Sequence, residues 1–136
     1  MLPPMLPPVS DAAAPPEVAA VYADIRATRG GDFINLFWRV LANDPKLLRR
    51  TWEDLKAVMG KGHLDPLTKE MVYIAVSVTN SCTYCINSHT AAARAKGMTD
   101  AMLTELLGVI GMANETNALV TALQVPVDPE FLAGRA

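Results

Sequence analysis

The chain lacks the features that would tie it to a membrane, to nucleic acid or to an exported state. No apolar run reaches the roughly eighteen residues needed to cross a bilayer, so no membrane partner is expected. Lys and Arg number 12 against 14 Asp and Glu, a formal net charge of −2, which provides no basic field for nucleic acid. The N-terminus has neither the basic start nor the apolar stretch of a signal peptide, so the cytoplasm is the expected compartment. Charge of either sign is scarce: 19% of residues are charged and 51% hydrophobic. In 136 residues, enough for one core, that balance points to apolar surface covered by another subunit. Cysteine and histidine are rarer still, with two of each.

Proline, by contrast, is concentrated. Six of its ten occurrences fall in residues 1–16, which open with a doubled Met-Leu-Pro-Pro. Without an amide donor and with φ fixed, this segment is expected to be an extended arm of polyproline II character. Its apolar residues Met1, Leu2, Met5 and Leu6 imply that it packs on the body or on a neighbour. Residues 17–136 are expected to form a single helical domain. Val18, Val21, Tyr22 and Ile25 recur at helical spacing until Gly30-Gly31. A second helix is expected over Asp32 to Leu41, with Phe33, Leu36, Phe37, Val40 and Leu41 on its apolar face. Asp44-Pro45 and Asp65-Pro66 both read as a cap followed by proline at the first helical position. The helix after Asp44 should run to about Met59, and the one after Asp65 through Val78 as a central helix buried nearly all round. Asn80-Ser81 breaks the chain, and a helix from Cys82 to about Lys96 follows, closed by Gly97. Thr99 caps the next, with Met98 and Leu103 as a hydrophobic staple. A last helix is expected near Asn114 to Gln124, and Pro126 and Pro129 should end regular structure.

Both cysteines and one histidine lie within Asn80-Ser-Cys-Thr-Tyr-Cys-Ile-Asn-Ser-His89. Cys82, Cys85 and His89 are offset by three, four and seven, so they share one helical face. In a reducing compartment such a pair is more often catalytic or metal-binding than a static staple. A helix N-terminus favours an anion, a histidine one turn from Cys85 can take its proton, and a second sulfur three residues away can close a disulfide. Spacing alone leaves three readings open: a redox pair, part of a metal site, or packing. A structural zinc site needs four ligands, and only a distant His63, read as a solvated loop residue, could add to these three. A turn at Asn80-Ser81 would make an antiparallel helix hairpin. Glu70 then lies about 15 Å before the turn and His89 about 13 Å after it, nearly level on facing helices. Beside Met71, Val72 and Ile74 the Glu70 carboxyl should be poorly solvated and its pKa raised, which suits a relay from Glu70 through His89 to Cys85. Tyr84, Trp38 and Trp52 are read as packing residues, the tryptophans in the core or at an interface.

Leu67-Thr68-Lys69-Glu70, the apolar run to Val78, and Asn80-x-Cys82-x-Tyr84-Cys85-x-x-x-His89-x-x-x-Ala93-x-x-x-Gly97 together resemble the carboxymuconolactone decarboxylase family, closest to its alkylhydroperoxidase D-like branch. Ala42-Asn43-Asp44-Pro45 and the Glu70-to-Cys82 spacing add to the match, which covers roughly Phe33 to Leu123. The resemblance implies an all-α fold: an orthogonal bundle of six to seven helices with a central hairpin carrying the cysteines, assembled as a homo-trimer or homo-hexamer. It also implies that Cys85 attacks a hydroperoxide, Cys82 resolves the sulfenic acid as a disulfide, and Glu70 and His89 shuttle protons. A thiol such as a lipoyl or thioredoxin-like dithiol would reset the pair, with no cofactor and no metal. The chain departs from the branch at Tyr84, where a histidine often precedes the second cysteine. Two other readings stand beside this one: an acid–base enzyme acting on a small lactone or keto acid through Glu70 and His89, and a non-enzymatic redox-sensing oligomer that presents the proline arm.

Overall fold

Three of the six helices open on a proline, whose missing amide costs nothing at a first helical position. In the computed structural model, which describes residues 2–132 and 134, the helices are α1 (Pro16–Arg29), α2 (Leu36–Leu41), α3 (Pro45–Met59), α4 (Pro66–Thr79), α5 (Thr83–Ala95) and α6 (Asp100–Ala122). A single 3-10 turn follows at Pro129–Phe131, beyond the expected end of regular structure. The fold is all-α, as expected, with no strand among the described residues. Between Lys61 and Gly62 the chain divides into two compact units.

The first unit holds α1, α2 and α3 around Val18, Tyr22, Ile25, Trp38, Leu48 and Trp52, all essentially inaccessible to solvent. Trp38 and Trp52 meet edge to face, centroids 5.4 Å apart, and Trp52 Nε1 donates to Asp24 at 2.6 Å. Asp44 caps α3 by accepting from the amides of Lys46 and Leu47. The second helix is shorter than its sequence pattern. It starts after Asn35, so Phe33 lies outside it and is 74% exposed, while the neighbouring Ile34 is the buried one. Part of the proline-rich segment is integral to this unit. Val9 donates its amide to Arg39 O at 2.9 Å, Tyr22 donates its phenolic hydrogen to Val9 O at 2.9 Å, and Asp11 bridges Arg26 and Arg39. The segment turns at Ser10–Ala14 instead of running extended into α1. Leu2 and Met5 do not pack on the body of this chain and are exposed, and Leu6 is half exposed; Met1 lies outside the described residues, as do residues 133, 135 and 136 of the expected domain.

The second unit is the α4–α5 hairpin with α6 packed on α4. Its core is Ile74, Ala93 and Met98, with Leu67, Met71, Val78, Met102, Leu103 and Leu106 against them. Asp65 caps α4 through the Thr68 amide, and Thr99 caps α6 through that of Met102. The two helices expected after Thr99 are one. α6 runs unbroken for 23 residues through Gly108 and Gly111, since it contains no proline and Asn114 turns its side chain toward Thr79 instead of capping. Nor is α4 buried all round: Val72 and Val76 are about half exposed. No helix is long and apolar enough to cross a membrane.

Candidate active site

The turn between α4 and α5 sets the position of the cysteines. α4 ends at Thr79 with Asn80 as its cap, and Ser81 adopts the left-handed conformation with φ 56°. The amide of Cys82 then reaches Ser77 O at 2.9 Å and that of Ser81 reaches Val78 O at 3.1 Å, the two bonds of a Schellman closure. So tight a reversal makes Cys82 the residue before α5. Its sulfur accepts the Cys85 amide at 3.3 Å, satisfying one of the free donors of the helix start. Cys82 and Cys85 are joined as a disulfide, Cα atoms 5.3 Å apart, both half-buried; Thr83 and Tyr84 between them are exposed. Tyr84, read from the sequence as a packing residue, is 45% exposed, its position falling off the stripe of Cys82, Cys85 and His89.

Glu70 and His89 meet across the hairpin. The carboxylate Oε2 lies 2.7 Å from His89 Nδ1, with both side chains largely buried. On its other side, Glu70 Oε1 accepts from Lys96 Nζ at 2.9 Å. Tyr73, one turn on from Glu70, stacks on the His89 imidazole with centroids 3.6 Å apart and planes 19° from parallel. Burial pushes the Glu70 carboxyl up and is the largest single influence on it. The hydrogen bonds from His89 and Lys96, with the two positive charges, outweigh burial and hold the carboxyl below its ordinary value. This corrects the expectation of a raised pKa. The burial anticipated from Met71 and Ile74 is present, but the pairing with His89 and Lys96 together outweighs it, and Lys96 was not anticipated. The signal for it was available: Lys96 is seven residues after His89 and extends the Cys82, Cys85, His89 stripe by two more turns. Tyr73, at i+3 from Glu70, follows from the same geometry.

An ionised carboxylate only accepts, so His89 donates from Nδ1 and its Nε2 is left as the basic atom. The arrangement can take up a proton at Nε2 while the charge on Glu70 stabilises the resulting imidazolium. His63 is exposed in the loop before α4 and takes no part. Among the described residues, no three histidine, cysteine, aspartate or glutamate side chains are grouped to hold a metal ion.

Residues 45–128, which carry all of this geometry, match the carboxymuconolactone decarboxylase family. The chain belongs to that family. Within the carboxymuconolactone decarboxylase family it is similar to the alkylhydroperoxidase AhpD core of Rhodospirillum rubrum, known from a crystal structure. The two are 62% identical with a TM-score of 0.92, over 96% of this chain and 98% of that one. It is also 32% identical over 111 residues to an alkyl hydroperoxide reductase of Mycobacterium tuberculosis, and 31% over 97 residues to the alkyl hydroperoxide reductase AhpD of Solibacter usitatus. These matches cover 82% and 70% of this chain but only 32% and 53% of the relatives, so the chain spans about a third to a half of their length.

Proposed function

We propose that this chain is a thiol-dependent peroxidase of the alkylhydroperoxidase D-like type. The observation that carries the reading is the Cys82–Cys85 disulfide at the start of α5, one turn ahead of a histidine that is hydrogen-bonded to a buried carboxylate. The relatives named as alkyl hydroperoxide reductases support it. In the reduced protein, Cys85 gives up its proton to His89 and attacks the outer oxygen of a hydroperoxide. An S–O bond forms and the O–O bond breaks. The departing alkoxide takes the proton from His89 and leaves as the alcohol. Cys82 then attacks the Cys85 sulfenic acid, forming the disulfide and releasing water. Two thiol–disulfide exchanges with an external dithiol, lipoyl or thioredoxin-like, return both thiols. Glu70 orients His89 and balances its charge.

The reaction is placed in the cytoplasm, where a reducing thiol pool resets such a pair. The exposed apolar residues of α4 and α6, among them Val72, Val76, Val109 and Leu119, support assembly as a homo-trimer or homo-hexamer that covers them. The test of the activity is a thiol-coupled peroxidase assay with several hydroperoxides. Cys85→Ser should abolish turnover. Cys82→Ser should stop after one equivalent and leave a sulfenic acid that dimedone traps. Turnover of a small lactone or keto acid that survives replacement of both cysteines by serine would instead support acid–base chemistry through Glu70 and His89.

A further inference from the structure

We propose that Lys96 is a positioning residue that keeps Glu70 ionised throughout the reaction, so that His89 Nδ1 keeps its hydrogen and Nε2 is left free to accept the thiol proton. The inference rests on the peroxidase reading only for its kinetic consequence; the charge arrangement stands without it.

A carboxyl buried against a single imidazole has two near-equivalent states. The proton can sit on the nitrogen, giving an ion pair, or on the oxygen, giving a neutral pair. Burial favours the neutral pair. In that state Glu70 would be a donor, and Nδ1 an acceptor. Nε2 is protonated in both states, and it can accept from a thiol only when the pair has lost one proton, with Glu70 ionised and the remaining hydrogen on Nδ1. A second donor, a cation on the other carboxylate oxygen, stabilises the ionised carboxylate and so favours the state in which Nε2 can accept. Lys96 Nζ lies 2.9 Å from Oε1 while His89 Nδ1 lies 2.7 Å from Oε2, so each oxygen has its own donor. α4 packs against α5 and α6. The charged groups that act most on Glu70 are His89 on α5 and Lys96, the residue that caps the end of α5; the acidic residues of α6 are Asp100, Glu105 and Glu115. Of these Asp100 is paired with Arg94. Tyr73, stacked on the ring, holds the imidazole plane in which Nδ1 meets the carboxylate.

Fold and site are linked at this residue. Lys96 is the last residue before the left-handed Gly97, whose amide and that of Met98 close α5 onto Arg94 O and Ala93 O. A lysine at a helix C-terminus is favoured by the macrodipole alone. That role leaves the ammonium free in solvent, whereas this one is turned onto a carboxylate that is 5% exposed.

The test uses the full chain in two arms, with Lys96→Met and Lys96→Arg. Both variants are checked for native helicity by circular dichroism. In the first arm, NMR follows the Glu70 carboxyl carbon and the His89 ring nitrogens against pH, with the exposed His63 as an internal reference. Lys96→Met should move the Glu70 titration to higher pH and raise the fraction of His89 protonated at Nε2 in its neutral form. Lys96→Arg should leave both close to wild type. In the second arm, the acid limb of kcat/KM for a hydroperoxide should move to higher pH in Lys96→Met with KM unchanged, and Lys96→Arg should restore activity to within about twofold, since a cation on Oε1 is retained. An unmoved Glu70 titration in a folded Lys96→Met protein overturns the inference, whatever the enzyme activity. If wild type turns over no hydroperoxide, the peroxidase reading fails, and the NMR arm alone still decides the role of Lys96.

Discussion

Glu70 is the most constrained side chain of the site, because its two oxygens answer to two different residues and its body is buried among α4 and α5. A carboxyl held below its ordinary value by such contacts couples stability to acid. The folded state binds the proton less readily than the unfolded chain. Its contribution is therefore complete above the unfolded carboxyl value and is lost as pH falls through the lowered folded value. Urea unfolding from about pH 6 down to about pH 3 should show stability falling steeply in wild type and less steeply in Glu70→Gln. Equal slopes would show that Glu70 is not depressed. At this scale the sequence carried much of the geometry around Glu70 and His89. Cys82, Cys85 and His89 form one helical face by spacing alone, and a hairpin at Asn80-Ser81 brings Glu70 level with His89. It did not reveal the sign of the Glu70 shift, because burial and pairing act in opposite directions and their balance depends on where the Lys96 ammonium ends.

The elements of the second unit are joined by left-handed closures that place the site. Ser81 occupies a conformation that favours glycine, at φ 56°, to send α5 back along α4. Ser81→Gly should remove that strain, offset by the greater freedom of glycine in the unfolded chain, and stabilise the protein by up to about 1 kcal/mol. Gly97 is the converse, at φ 101°. An added Cβ there meets nothing within 4 Å, so the cost of Gly97→Ala is conformational, about 1 kcal/mol. Urea midpoints at constant m-value measure both, and a destabilising Ser81→Gly or a neutral Gly97→Ala would contradict the reading of these turns. Helix starts were easy to see beforehand, since Asp44, Asp65 and Thr99 each carry a side-chain acceptor into the first turn. Helix continuity was harder. A separate last helix was expected near Asn114 to Gln124, yet α6 runs through Gly108, Gly111 and Asn114, because glycine weakens a helix without stopping it and Asn114 has Thr79 as a partner on α4.

The whole molecule presents more apolar surface than its own packing covers. α6 has only Ile110 buried among 23 residues, and α4 exposes Val72 and Val76. If copies of the chain cover this surface, sedimentation velocity should give a mass three or six times 14.6 kDa, and Val76→Glu should lower it without loss of helicity. A wild-type monomer at the same concentration would refute assembly through this face. The arm illustrates the same division between pattern and packing. Its prolines excluded helix up to Pro15, but only the folded first unit shows Val9 bonded to Arg39 and Tyr22, and Asp11 held between two arginines. By itself the sequence determined the helical class, the caps, the turn at Asn80-Ser81 and the face shared by Cys82, Cys85 and His89, because these follow from short-range geometry. Tertiary structure alone decided which side of α4 is buried, that Lys96 and Tyr73 join Glu70 and His89, and in which direction the Glu70 carboxyl is shifted, because each depends on contacts between residues distant in the chain whose opposing energies are settled only when the helices pack.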